Sequence, residues 1–375
     1  METVFASPEA TKSFAEHAIG SDSVVKPVPG NYRKSAGLTL SSIGIGTYLG
    51  NWDEETDSKY TDAVVEYVKS GGNVIDTASN YRFQRSERSI GAAIRELADH
   101  VDREALFICS KGGYLPFDNE PASDVGAYFE EHFVKTGVAA AEDLVGGSHC
   151  MTAGYLKSQI DQSLKNIGIS GLDLFYIHNP EAQLAEIDRY SFEARIAAAF
   201  EGLEEYRAAG KINHFGIATW NGFRCTPDDS GYHSLERFVN IANQVGGEKH
   251  GFRYIQLPHN LAMPEAYLVP NQAANGKALS AIAAAVDLGL DVMASASLLQ
   301  GQLTMNVPMH IREALGGLTT DAMTSIQFVR STPGVTSALV GMSSLEHVRE
   351  NMALAACDPA EESVYEEMFS MGQQA

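Results

Sequence analysis

Between residues 43 and 355 the chain alternates short apolar runs with amphipathic stretches eight times. The runs fall at 43–48, 73–76, 106–111, 172–178, 213–218, 254–257, 291–294 and 337–340. The stretches at 60–70, 88–98, 155–167, 191–209, 235–245, 277–288, 321–330 and 345–355 follow them, with apolar residues at helical spacing such as Ala63, Val64, Tyr67 and Val68. Strands that take turns with helices pair in parallel, because each helix carries the chain back across the sheet. Glycines close several helices just ahead of the next strand, at 70–73 (SGGN), 208–211 (AAGK) and 288–291 (LGLD), where a left-handed cap is needed. Eight such units in 375 residues predict a closed (β/α)8 barrel of the TIM type. An open doubly wound sheet needs a glycine-rich turn running straight into a helix. Gly44, Gly46 and Gly50 follow no such spacing, and no helix starts there.

The units divide the chain into an extension at 1–35, a barrel at 36–357 and a tail at 358–375. The extension reads as polar and irregular, and an alternating stretch at 33–42 reads as a hairpin. The rhythm breaks at 112–154, after the third strand. That insert carries Tyr114, Phe117, Tyr128, Phe129 and Phe133, so it is expected to pack, overhanging the barrel mouth as a lid or pocket wall.

Composition removes several classes of function. A net charge of -21 disfavours nucleic acid or an anionic membrane as partner. No apolar segment is long enough to span a bilayer, and the first twenty residues lack the basic and apolar regions of a secretory signal. Cys109, Cys150, Cys225 and Cys357 form no paired spacing, which suits reduced thiols in the cytoplasm. His149 beside Cys150 has no second pair at zinc spacing, so no metal is expected. Nothing in the sequence sets an oligomeric state.

Ionisable residues stand at the ends of three neighbouring strand runs. Asp76 ends the second, with Tyr81 five positions on; Lys111 ends the third; His178 ends the fourth. In a barrel of parallel strands that edge builds the active site, so the four side chains converge. A tyrosine with a pKa of about 10 gives up its proton poorly near neutrality. A lysine cation beside it pulls that pKa down, an aspartate keeps the lysine charged and aimed, and a histidine donates to the same substrate oxygen. Such a set protonates a carbonyl oxygen, or runs backwards on an alcohol.

These residues carry a family resemblance. DTASNY (76–81), CSKGG (109–113) and LDLFYIHNP (172–180) resemble motifs of the aldo-keto reductase family, and the likeness runs from about residue 38 to 355. The resemblance implies a barrel with an N-terminal hairpin plug and hydride from a nicotinamide cofactor, with NADP(H) favoured and NAD(H) as the alternative. It implies Tyr81 as general acid/base, Lys111 and Asp76 as the groups that tune it, and His178 as the residue that orients substrate. Thr219, Gln256 and Ser295 fall where the family holds the nicotinamide, and Leu298 and Gln300 in its pyrophosphate loop. Gly341, Ser343, Glu350 and Asn351 fall in its adenosine site.

The chain departs from the pattern in four places. Ala218 replaces the serine of a Ser-Asn pair, and Ser295 replaces an aromatic ring. His347 stands where a base would clasp the 2′-phosphate. Tyr81 is followed by an arginine-rich loop, RFQRSERS (82–89), instead of a glycine. Arg82 and Arg85, with Tyr48 and Trp220, are therefore the substrate candidates, and the arginines suggest an anionic or polyhydroxylated substrate. The expected function is an oxidoreductase interconverting a small aldehyde, ketone or sugar and its alcohol. The alternative is a cofactor-binding sensor or regulatory subunit with little turnover.

Overall fold

A computed structural model describes residues 4–21 and 25–372. Its centre is a closed barrel of eight parallel strands: β3 (Ile43–Gly46), β4 (Val74–Asp76), β5 (Phe107–Gly112), β6 (Leu172–His178), β7 (Ile212–Ala218), β8 (Phe252–Pro258), β11 (Asp291–Ser295) and β12 (Val335–Gly341). Strand β12 pairs with β3 to close the circle. Ahead of it, β1 (Tyr32–Ser35) and β2 (Leu38–Ser41) form the expected antiparallel hairpin. All eight predicted strands are present, their ends shifted by no more than two residues.

Helices α2 (Glu54–Lys69), α3 (Arg85–Leu97), α5 (Ala153–Ile167), α6 (Arg189–Ala208), α7 (Leu235–Gly246), α9 (Ala281–Asp287), α11 (Asp321–Ser331) and α12 (Leu345–Met352) surround the barrel. A shell of Val, Ile, Leu and Phe side chains fills the space between strands and helices. Inside the barrel, Phe107, Leu174, Tyr176, Tyr254 and Met293 stack with Leu38 and Leu40 of the hairpin and with Ala6, which together plug the base. The amide of Ala6 donates to Asp173 Oδ1 at 2.6 Å, so the segment before α1 (Pro8–Gly20) is pinned under the barrel.

Three stretches differ from the sequence reading. The extension holds α1, capped by Ser7 with Pro8 at its first position; its buried face is Thr11 and Ala15, too small to make a visible apolar stripe. The helix expected at 277–288 begins only at Ala281. Before it, β9 (Gln272–Ala274) and β10 (Lys277–Leu279) form a hairpin around Asn275 and Gly276, both at positive φ, the turn that Asn-Gly favours. The tail carries α13 (Glu362–Gly372), whose buried Tyr365 bonds Thr332 Oγ1 at 2.7 Å and so docks on α11. Two short helices, α8 (Glu265–Leu268) and α10 (Met309–Ala314), lie in loops.

The insert does pack. The amide of Leu115 donates to Ser148 O at 3.0 Å and that of Cys150 to Gly113 O at 2.9 Å, so its two ends run side by side. Between them, α4 (Val125–Phe129) and a further helical turn bury Leu115, Phe129, Phe133 and Cys150 against Tyr155 of α5.

Candidate active site

Register brings the strand-end residues to one level. Asp76 lies opposite Cys109, Lys111 opposite Tyr176, His178 opposite Ala218, and Ala218 opposite Gln256. All lie near the C-terminal mouth, around a cleft of about 1040 Å³. Lys111 is fully buried beneath it. Its Nζ donates to Asp76 Oδ2 at 2.5 Å, to Thr77 O at 2.9 Å and to Tyr81 Oη at 3.4 Å. The other Asp76 oxygen accepts from Gln256 Nε2 at 2.9 Å. The ring of Tyr81 stands edge-on to His178, centroids 5.9 Å apart. The four residues therefore meet, as the sequence predicts.

Their charge states follow from what surrounds them. Burial pulls the Lys111 ammonium down, but Asp76 and Tyr81 outweigh it and the net shift is upward. Burial raises Tyr81, Lys111 lowers it, and burial wins, so the phenol sits above its ordinary value rather than below. The lysine acts in the expected direction without setting the balance. His178 is held well below the usual imidazole range by burial, by Lys111 and by His149, so its ring is neutral near pH 7.

The insert contributes two groups: Tyr114, one of the aromatics expected to wall the pocket, and His149, which the sequence reading did not place here. Tyr114 lines the cleft, its ring 5.2 Å from that of His178, and its hydroxyl accepts from Asn179 Nδ2 at 3.2 Å. His149 Nε2 lies 2.7 Å from His178 O, while Gln183 Nε2 donates to His149 Nδ1 at 2.9 Å, so Nε2 carries the proton and donates. This approach passes over Gly113, where a Cβ would stand 2.7 Å from His149 Nε2 and 2.9 Å from His178 O. His149 thus braces the histidine strand, and no metal-ligating cluster occurs among the described residues. Aromatic residues after CSKGG were the available signal.

All nine residues assigned to cofactor by resemblance line the same cleft: Thr219, Gln256, Ser295, Leu298, Gln300, Gly341, Ser343, Glu350 and Asn351. Two of them test whether a cofactor fits. Thr219 Oγ1 and Asn351 Oδ1 are buried with no hydrogen-bond partner among the described residues. Buried polar atoms are ordinarily paired, so both suit a ligand that offers polar groups at two separate points of the cleft. No lysine or arginine lines it among the described residues. Ser344 Oγ caps α12 by accepting from His347 N at 3.2 Å, and Arg349 is turned to Glu66 at 2.7 Å.

The substrate candidates divide. Tyr48 and Trp220 line the mouth, both about half exposed, and the Tyr48 ring lies 4.9 Å from that of Tyr81. Arg82 and Arg85 do not line it. Both turn away to Asp57 of α2, at 2.5 and 2.6 Å. Arg88 pairs with Asp118 and Arg224 with Glu265. The arginine-rich loop is therefore a set of ion pairs, and the anionic substrate it suggested loses its basis: around Tyr81 the mouth is lined by Tyr48, Tyr114 and Trp220.

Residues 42–224 match the model of the aldo/keto reductase family. A D-threo-aldose 1-dehydrogenase from a Pseudomonas species is 26% identical over 187 residues, covering 49% of this chain and 52% of that protein. An NADH-specific methylglyoxal reductase from Escherichia coli is 25% identical over 189 residues, covering 48% and 49%. The chain spans about half the length of the curated relatives it matches. An aldo/keto reductase from Klebsiella pneumoniae, solved in complex with NADP and acetate, superposes with a TM-score of 0.60 at 19% identity, covering 92% of this chain and 95% of that one. The fold is thus that of the aldo-keto reductase barrels. The stretch that matches the family model holds Asp76, Tyr81, Lys111 and His178, and its similarity is to aldo/keto reductases.

Proposed function

We propose that the chain is an NAD(P)H-dependent oxidoreductase that interconverts a small, neutral carbonyl compound and its alcohol. The observation that carries this reading is the relay at the cleft floor: Asp76 Oδ2 to Lys111 Nζ at 2.5 Å, and Lys111 Nζ to Tyr81 Oη at 3.4 Å. A nicotinamide held in this cleft would supply the hydride for the carbonyl carbon. Tyr81 donates its proton to the carbonyl oxygen, and the adjacent cation stabilises the phenolate left behind. Lys111 keeps its charge through Asp76 and stays in place through Thr77 O. His178, neutral, donates one N–H to the same oxygen and fixes its direction. Tyr48, Trp220 and Tyr114 enclose the substrate's carbon skeleton and exclude water.

Thr219, Gln256, Ser295, Leu298 and Gln300 are the residues we assign to the nicotinamide and pyrophosphate half of the cofactor. Gly341, Ser343, Glu350 and Asn351 are those we assign to its adenosine half. NADP(H) is favoured, although among the described residues no arginine or lysine borders the adenosine end. The cytoplasm is the proposed location: no helix among the described residues is long and apolar enough to cross a membrane, and the four thiols are unpaired. Titration of four free thiols in protein denatured without reductant checks the latter.

The test is carbonyl-dependent loss of NADPH absorbance across a panel of aldehydes, ketones and sugars, with Tyr81→Phe alongside. Turnover that falls by about 10²–10⁴ in the variant supports the reading. Cofactor binding without turnover on any carbonyl would move it to a sensor or regulatory subunit.

A further inference from the structure

Immediately after Tyr81 the backbone does something costly for residues that carry a Cβ. Arg82, Phe83 and Gln84 have φ of 48°, 55° and 69°, three consecutive left-handed residues without a glycine among them. Such a conformation persists only where the surroundings over-determine it. Here they do. Both carboxylate oxygens of Asp57 are used: Oδ1 accepts from Arg82 Nη2 at 2.5 Å and Oδ2 from Arg85 Nη1 at 2.6 Å, one arginine at each end of the turn. Arg82, almost wholly buried, also donates from Nε to Asn51 O at 2.7 Å and lies over the Tyr60 ring. Phe83 stands edge-on to Trp52, and Gln84 Nε2 donates to Pro116 O at 2.7 Å.

We propose that Asp57 is a positioning residue for Tyr81: by gripping Arg82 and Arg85 it holds the left-handed turn that sets the phenol against Lys111. This rests on the reading of Tyr81 as the proton donor. Asp57 does not line the cleft, and its carboxylate is paired with Arg82 and Arg85. It acts through the backbone of one intervening residue, and a small displacement of a reacting group can cost about 10²-fold in rate.

The experiment compares Asp57→Asn, Arg82→Ala and Arg82→Gly, each assayed on the best carbonyl of the wild type and normalised to cofactor-binding sites titrated by fluorescence. Alanine and glycine both remove the guanidinium, but glycine alone takes positive φ without strain. Asp57→Asn and Arg82→Ala are expected to lose tenfold or more in kcat with KM within twofold. Arg82→Gly is expected within threefold of wild type. The ultraviolet titration of Tyr81, read as a difference against Tyr81→Phe, should shift in the first two and stay in the third, because displacing the phenol changes both its burial and its distance from the Lys111 cation. This readout needs no turnover, so it judges the clamp even if the proposed chemistry fails on the carbonyl panel. Should Asp57→Asn fail to fold, the two Arg82 variants decide alone. Equal losses in Arg82→Ala and Arg82→Gly, or no loss in Arg82→Ala, overturn the proposal.

Discussion

Gln256 Nε2 donates to Asp76 Oδ1 at 2.9 Å, joining two strands that are not neighbours in the barrel. Asp76 thereby has both oxygens engaged, one by a neutral amide and one by Lys111. Gln256→Leu leaves one of these buried oxygens unpaired. A hydrogen bond to a charged group contributes about 1.5–3 kcal/mol, so the urea midpoint is expected to fall by that equivalent. An unchanged midpoint would show that water replaces the amide.

Lys111 and Asp76 are both buried, so the order in which they are removed matters. Lys111→Met strands a carboxylate and is expected to destabilise by about 3–5 kcal/mol. Adding Asp76→Asn removes the stranded charge and should recover at least half of that loss, with turnover still absent. Equilibrium unfolding of the two variants measures the recovery. A double variant less stable than Lys111→Met would refute it.

Burial pushes the fully buried His149 and the half-buried His214 down to about 4, and the fully buried His259 to about 3. Their folded values lie below the unfolded value of about 6.5. As pH falls below that value, the unfolded chain takes up protons that the folded chain refuses until the lower values are reached. The stability they contribute is thus full above about 6.5 and is lost as pH falls toward 4 and 3, at about 1.4 kcal/mol per unit and ring. Urea unfolding at pH 7.5 and pH 5 is expected to give the lower midpoint at pH 5. Equal midpoints would mean that the rings titrate normally.

At the adenosine end, His347 lines the cleft and, among the described residues, no arginine does. His347→Arg supplies a fork suited to a phosphate. NADPH is expected to bind about tenfold tighter, about 1.4 kcal/mol, with NADH little changed, in parallel fluorescence titrations. An equal gain for both cofactors would place the 2′-phosphate elsewhere.

The barrel was legible because its strands are buried on both faces and its helices on one, and each element announces that in a few adjacent residues. Asp76, Tyr81, Lys111 and His178 were legible for the same reason, since each ends or closely follows such a run. The turn at Asn275–Gly276 was also written locally, and its strands were overlooked because alanines blur the boundary with α9. Helix α1 had no such stripe, since Thr11 and Ala15 bury little apolar area. The Gln256–Asp76 bond joins residues 180 positions apart, and no short-range pattern reports it. Arg82 and Arg85 follow Tyr81 directly and so looked like mouth residues, but their partner Asp57 lies one helix upstream, where no local pattern reports it.

The insert buries Leu115, Phe129, Phe133 and Cys150 largely against one another, and of its residues only Tyr114 lines the cleft among those described. Selection therefore acts on two separable objects. Changes at Leu115, Phe129, Phe133 or Cys150 alter a satellite whose ends are already stitched together, whereas His149 of the same insert is tied to the histidine strand. Changes at the single contact residue alter what the mouth admits without unsettling the satellite. A lineage built this way can revise its diet one side chain at a time while inheriting the proton chemistry unchanged.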